Sequence, residues 1–445
     1  MAKKAKSRNS VARKTKSDKQ ILKYLIAFPL IAVAIKFVVM ANIQSGAWYG
    51  ADGENYMMGV NGLLKEGFFS KEPKLSYWPA GYPLLIWPLA KLTVTNVFYL
   101  ISFLQTVFFA YATYFFTAQI RRTNFAYLAV VASFLISFNP TLSLSSLAVG
   151  YEAPIAACLM MSVGLVMKSF STEVGSFSIK VSVFAAAWFA LAIVMQPRFL
   201  LIGLLFTVLW AWKLKSRRSA ALLLAVSIGV MAITPAIMIY RNTQVINQAT
   251  ISTNLGATMA IGAGDETQGG YVRSGPEVPC LPSRPETSPT DNERVMCVIN
   301  WYLNNPIKSL KLTYFKSQFF WSPWSGALAN GTKARNPWLK ISPTQQIAKN
   351  SEGNKLVYGA FGKLISYGWI VGQIAMLFFG YRYLRLLGET EKFYADLLAL
   401  PIVLSWLISI GTVGDHRFRV PTMAFSLFLQ AVGFIGIKRK LFKAL

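Results

Sequence analysis

The sequence predicts an all-α polytopic membrane protein with about ten transmembrane helices. Hydrophobic residues make up 54% of the 445 positions and charged residues only 14%, where an ordinary soluble protein carries roughly 25% charge. The mean hydropathy is +0.42. So little charge cannot cover a globular surface of this size, and apolar stretches of roughly 20 residues recur along the chain with short basic clusters between them. The single histidine, His416, excludes a multi-histidine metal centre and the HExxH motif. The three cysteines (Cys158, Cys280, Cys297) are too few for a Cys₄ site and lack CxxC spacing.

Residues 1–20 hold eight Lys or Arg against one Asp, with no apolar period. They read as a basic, disordered tail on the cytoplasmic side, attracted to anionic headgroups by roughly 1 kcal/mol per cation. The apolar run that follows is too long for a signal-peptide core and lacks a small-residue cleavage site. Spans are expected near 21–43, 97–120, 124–142, 149–168, 181–196, 199–213, 219–240, 361–384, 394–412 and 420–437. The fifth and sixth are short and meet at Gln196-Pro197-Arg198.

Every even-numbered span ends in cations: Arg121-Arg122, Lys168 to Lys180, Lys213 to Arg218, Arg382 with Arg385, and Lys438-Arg439-Lys440. All fall on the side of the basic tail, so the positive-inside rule places both termini in the cytoplasm. The net charge of +27 is thereby accounted for by topology and the bilayer, without nucleic acid. Two long segments, 44–96 and 241–360, lie on the opposite side. Both are rich in Trp and Tyr, which suits surface-lying helices that roof a cavity, beside an ordinary interfacial belt. Cys280 and Cys297 share the second segment, where an oxidising exterior permits a disulfide with a structural role.

The first segment opens with Asp52-Gly-Glu54, followed by a helix with Tyr56, Val60, Leu63 and Leu64 on one face. Asp52 suits a helix N-cap and equally a catalytic base or metal ligand at the membrane surface. Tyr77-Trp-Pro-Ala-Gly-Tyr-Pro83 comes next: the prolines delay a regular helix until after the turn, and Gly81 permits close backbone approach. Glu152 stands in an apolar stretch at the outer end of the fourth span, and Lys36 about two turns before the end of the first. Ionisable residues within spans are costly and tend to face a cavity. Arg417 and Arg419 sit at the outer end of the last span, against the positive-inside trend, near the depth of a lipid phosphate. Snorkelling is the plainer account of these two, but two Arg on the outer side favour contact with a phosphate, whose oxygens Arg binds in a bidentate manner; Arg198 sits in a tight turn on the same side.

The order of these motifs resembles the GT-C superfamily of polytopic glycosyltransferases, and within it the bacterial protein-mannosyltransferase and aminoarabinose-transferase-like (family 39-like) group. The resemblance rests on Asp52-x-Glu54 with Tyr56 downstream, the aromatic-Pro-x-Gly-Tyr-Pro block ending in Tyr82-Pro83, and Asn139-Pro140 followed by Glu152. It continues through Met195-Gln-Pro-Arg198, Arg241-Asn242, Ser252-Thr-Asn-Leu-Gly256, Asn305-Pro306 with Lys316, and Gly414-Asp-His-Arg417-Phe-Arg419-Val-Pro421. The Pro-Arg order at 197–198 is reversed from the family's pattern.

The resemblance implies transfer of a sugar from a polyprenyl-phosphate donor to a hydroxyl on a protein, glycolipid or cell-envelope glycan, with inversion. Asp52 would be the base and Glu54 its companion. Arg417, Arg419, Arg198 and His416 would bind the donor phosphate, and Tyr56, Tyr82, Glu152 and Lys36 would line the substrate cavity. A phosphate monoester leaving group, with a second pKa near 6, needs cations rather than a general acid. No cofactor is expected; a divalent cation (Mg or Mn) at Asp52 and Glu54 is the alternative. The expected division is a tail (1–20), an N-terminal catalytic module (21–240) with its extracytoplasmic loop (44–96), a large extracytoplasmic region (241–360) and C-terminal helices (361–445). A lipid-linked oligosaccharide ligase or polymerase is the nearest rival. A transporter is disfavoured because no internal repeat is visible.

Overall fold

Apolar length and proline placement set the helix boundaries. The computed structural model describes residues 2–42, 52–123, 126–172, 177–264, 267, 269–270, 290–322, 352, 355–356 and 359–443. In chain order the helices are α1 (Ala2–Asn42), α2 (Gly53–Glu66), α3 (Lys74–Tyr77), α4 (Gly81–Leu92), α5 (Val97–Ile120), α6 (Ala126–Phe138), α7 (Pro140–Leu144), α8 (Glu152–Thr172) and α9 (Ile179–Met195). They continue as α10 (Phe199–Trp212), α11 (Arg217–Ile246), α12 (Leu255–Ile261), α13 (Asp291–Asn304), α14 (Pro306–Trp321), α15 (Ala360–Arg385), α16 (Glu389–Gly411) and α17 (Met423–Lys443). Short 3₁₀ turns at Ser145–Leu147, His416–Phe418 and Val420–Thr422 complete the order, and no strand occurs among the described residues.

The protein is an all-α polytopic membrane protein. Among the described residues seven helices are long and apolar enough to cross a membrane, and an eighth span forms if α6 and the segment Pro140–Leu147 count as one. That pair bends by 55°, at the point where Pro140 cannot continue α6. Asn139 starts the new helix by accepting from Leu142 N at 2.9 Å. The expected fifth and sixth spans are α9 and α10, of 17 and 14 residues, at and below the lower end of the roughly 17–25 residues that a crossing takes. The basic tail also departs from expectation: α1 is continuous from Ala2. Its Ala, Lys and Arg are good helix formers, and no Gly or Pro interrupts them before Pro29.

The core is centred on α8. Of its span window 89% is buried, against 17% for α15 at the periphery. The sequence of α8 explains this: Ala153, Ala156, Ala157, Cys158, Ser162 and Gly164 are small, and small faces let helices approach closely. A Cβ on Gly164 would lie 2.8 Å from the Phe115 ring of α5. Helix α4 is seated as tightly on the end of α9, since a Cβ on Gly81 would meet the Val194 carbonyl oxygen at 1.7 Å. The close approach expected at Gly81 is therefore present. Pro83 does not delay the helix, because the first turn of α4 already contains it; proline is tolerated there, where the missing N–H has no intrahelical partner.

Two buried arginines tie the loops to the helices without entering a cavity. At the end of α11, Arg241 donates to the carbonyls of Phe68, Ser70 and Leu75, and Asn242 donates to those of Thr250 and Ile251. Together they hold the 68–76 and 250–251 loops on the same helix end. Arg419 donates to the carbonyls of Trp321 and Ser322 and to Gln373 Oε1, fixing the end of α14 to α15 and the start of the last span.

Candidate functional site

Helix and turn ends from α2, α8, α9, α10, α12, α13, α16 and the His416–Phe418 turn converge on a cavity of about 390 Å³. Its walls hold Asp52, Tyr151, Arg198, Asp415, Arg417 and Phe418 on one side. Ser252, Asn254, Thr258, Asp291 and Asn292 add hydroxyl, amide and carboxylate groups, and Trp78 closes it from the first loop.

Asp52 occupies the N-cap position of α2, but its side chain makes no cap hydrogen bond. It instead meets Arg417, with Oδ2 2.8 Å from Nη1. The other edge of the Arg417 guanidinium is taken by Glu152, whose Oε1 accepts from Nε at 2.9 Å and from Nη2 at 2.7 Å. Glu152 is 1% exposed and Arg417 5%, so each charge is desolvated and depends on the other. Asp415 orients the turn by accepting from Arg417 N at 2.9 Å. Burial acts to raise the Asp415 carboxyl, but the hydrogen bond and charge of His416, with Arg417 beside it, hold it below its usual value.

Tyr82 positions the start of α8. Its hydroxyl accepts from Gly150 N at 2.9 Å and donates to Gln105 Oε1 at 2.9 Å. Tyr56 packs edge-on against Tyr82 and Tyr151, with centroids 5.1 and 6.2 Å apart. Burial pushes all three phenols upward, so they are neutral at physiological pH. Arg198 lies over the Phe418 ring, its Cζ 3.9 Å from the centroid. The short α9–α10 connection, with Pro197 in the turn, aims it into the cavity.

The structure thus brings Asp52, Arg198, Arg417 and, through Arg417, Glu152 into one place. It separates the rest. Glu54 is on the exposed face of α2 and outside the cavity lining, because residues two apart on a helix diverge. One of the two ligands for the alternative divalent cation is therefore outside the site. Arg419 spends both of its Nη groups on the packing contacts described above. His416 is 1% exposed and lies behind Asp415, with Nδ1 3.2 Å from Oδ1. Lys36 is buried between α1 and α5, its Nζ 4.8 Å from the Phe109 centroid, and does not reach the cavity. Tyr56 and Tyr82 back its wall rather than line it. Cys297 is disulfide-bonded, Cys280 lies outside the described residues, and Cys158 is free and buried in α8.

Sequence reasoning missed Asp415, Tyr151, Asp291 and Asn292. The first two flank Arg417 and Glu152 and could have been taken with them. Asp291 and Asn292 carried no signal, since they open a surface helix whose capping box, Thr290 with Glu293, is sufficient reason for their neighbourhood.

No family model matches the chain, and no curated protein matches it. Solved structures of an oligosaccharyltransferase from Archaeoglobus fulgidus are similar in part. The archaeal oligosaccharyltransferase AglB, in complex with an inhibitory peptide and a dolichol-phosphate, shares 14% identity with a TM-score of 0.46, over 95% of this chain and 52% of that one. The apo form shares 13% identity with a TM-score of 0.49, over 95% and 51%. The chain spans about half the length of these proteins.

Proposed function

We propose that this protein is a GT-C-type glycosyltransferase, moving a sugar from a polyprenyl-phosphate donor to an acceptor hydroxyl at the extracytoplasmic membrane face. The observation that carries the reading is the 2.8 Å contact between Asp52 and Arg417, in a cavity that Arg198 also lines. A carboxylate and two guanidiniums in one wall match the charges that such a transfer develops. Asp52 takes the proton of the acceptor hydroxyl as its oxygen attacks the anomeric carbon. The bond from that carbon to the phosphate oxygen breaks, and its electron pair leaves with the phosphate. Arg417 and Arg198 stabilise that departing charge. Attack opposite the leaving group inverts the anomeric centre.

A guanidinium carries five N–H donors. Three of those of Arg417 face Asp52 and Glu152, which leaves two for a phosphate. A phosphate that draws on Arg417 competes with Asp52 for it and loosens the base as the donor seats. The hydroxyl and amide groups of Ser252, Asn254 and Asn292 suit a sugar's hydroxyls.

The test is transfer from a panel of radiolabelled polyprenyl-phosphate sugars to membrane acceptors, by wild type and Asp52→Asn. Transfer by the wild type, with loss of roughly 10²–10⁴-fold in the variant, supports the reading. Full turnover by the variant removes Asp52 as base, and neither transfer nor donor binding by the wild type removes the reaction class.

A further inference from the structure

We infer that the cation-lined end of α15 and α16 is a binding site for an anionic phospholipid, separate from the cavity described above. Two adjoining depressions define it. The first, about 350 Å³, is lined by Tyr381, Arg382, Arg385, Leu386, Glu389 and Lys392. The second, about 540 Å³, runs between α15 and α17 along Phe378, Phe379, Tyr383, Gly436 and Ile437. They share Arg382 and Leu386, so a basic pocket opens directly into an apolar groove.

The groove follows from glycine placement. Helices α15 and α17 meet backbone to backbone, for a Cβ on Gly380 would lie 1.9 Å from the Leu429 oxygen and one on Gly433 2.1 Å from the Met376 oxygen. A turn further on, Gly436 faces the Tyr383 ring instead, and the bulk of that ring holds the two helices apart. Phe378 and Phe379 are 58% and 45% exposed, open to an acyl chain.

The pocket has three cations and one carboxylate. Lys392 pairs with Glu389 at 3.4 Å, and Arg385 donates to the Tyr381 hydroxyl at 2.6 Å and lies 3.9 Å from Asp396 Oδ1, to which that hydroxyl donates at 2.8 Å; three cations against these two carboxylates leave the pocket positive. Arg382 has no ion pair or hydrogen bond among the described residues and stands where pocket and groove join. A net positive pocket continuous with an apolar groove selects an amphiphile with a negative head: the phosphate meets Arg382, Arg385 and Lys392, and one acyl chain lies along Phe378, Phe379 and Ile437. A soluble anion would gain nothing from the groove, and a zwitterionic lipid brings its own cation to a cationic pocket.

The experiment uses the full-length protein in nanodiscs doped with a diazirine-tailed phosphatidylglycerol or phosphatidylcholine, with labelled peptides mapped by mass spectrometry. The expected result is labelling of the 376–386 and 433–438 segments by phosphatidylglycerol, displaced by unlabelled phosphatidylglycerol and untouched by inorganic phosphate. Arg382→Ala and Lys392→Ala should each lower that labelling roughly fivefold, and Gly436→Leu should block it from the groove side. Arg217→Ala/Arg218→Ala, which removes exposed cations at another helix end, should leave it unchanged. Arg382 is exposed, so its variant keeps the fold, verified by size-exclusion profile. Equal labelling by phosphatidylcholine, equal loss in the Arg217/Arg218 variant, displacement by phosphate, or full labelling of Arg382→Ala would each overturn the site.

Discussion

Arg417 holds Glu152 through two N–H groups on one carboxylate oxygen, at 2.9 and 2.7 Å. The contact joins the start of the central helix to the turn before the last span. Both groups are desolvated, so removing one partner strands the other, at a cost of about 3–5 kcal/mol. Arg417→Met should therefore unfold at markedly lower temperature than wild type. Arg417→Met/Glu152→Gln should recover part of that stability, because the fully buried Glu152 charge is gone and only the less buried Asp52 is left without its cation, yet should not recover transfer. Thermal unfolding of the two variants in the same detergent decides it; a double variant as unstable as the single would show that the pair's geometry, not its charge balance, supports the fold.

Arg198 and Arg419 test whether cations near the last span are interchangeable. Arg198 lines the cavity over Phe418, whereas Arg419 serves three acceptors in the packing. Arg198→Ala should raise the donor KM about 10–100-fold, the range of a lost charge-assisted hydrogen bond. Arg419→Ala should lower stability by about 3 kcal/mol or more, with donor KM unchanged in the fraction that stays folded. A donor KM that rises equally in both would reverse this assignment.

The sequence made the helices legible because each needs only an apolar run and a breaker. In the structure Asn139, Ser178 and Ser216 each cap a helix start, accepting from the backbone N–H three residues on. It misled on Arg419 and Lys36, for a reason common to both. The sequence gives the depth of a charge in the bilayer but not its azimuth, and a turn of roughly 100° per residue decides between cavity and core. Arg417 and Arg419 differ by two residues and face different neighbours. Asp52 and Glu54 part in the same way. Asp291 could not be found at all, because its place in the cavity depends on the start of α13 meeting α12, where Asp291 Oδ1 accepts from Gly256 N at 2.7 Å, which no local pattern encodes.

Gly81 makes a sharp packing test. Its absent Cβ lets α4 rest on the Val194 carbonyl, and Tyr82 beside it carries the hydrogen bond to Gly150. Gly81→Ala should destabilise by about 1–3 kcal/mol or more through overpacking. It should also lower transfer, since shifting α4 moves the Gly150–Glu152 corner. A variant with wild-type melting temperature would show that α4 is free to slide.

Lys316 predicts a pH dependence of stability. It is 1% exposed and donates to the Tyr302 hydroxyl and to the carbonyls of Ile410 and Thr412, at 2.7, 2.9 and 2.6 Å. It thereby pins α14 to the end of α16, next to cavity residue Thr412. Burial pushes its amine down from the usual 10.5 to about 7. The folded chain then releases its proton at lower pH than the unfolded chain, so the unfolded state binds more protons between about pH 7 and 10.5. Stability should rise with pH across that window, and the cost of the buried charge is full and constant below it. Measured against Lys316→Met, which cannot titrate, wild type should gain up to about 1.4 kcal/mol per pH unit. The three acceptors oppose this, because only the ammonium form serves them all. A difference between the two proteins that stays flat from pH 6 to 9.5 would mean that those hydrogen bonds hold the lysine charged and that it acts as a permanent cation at the end of α16.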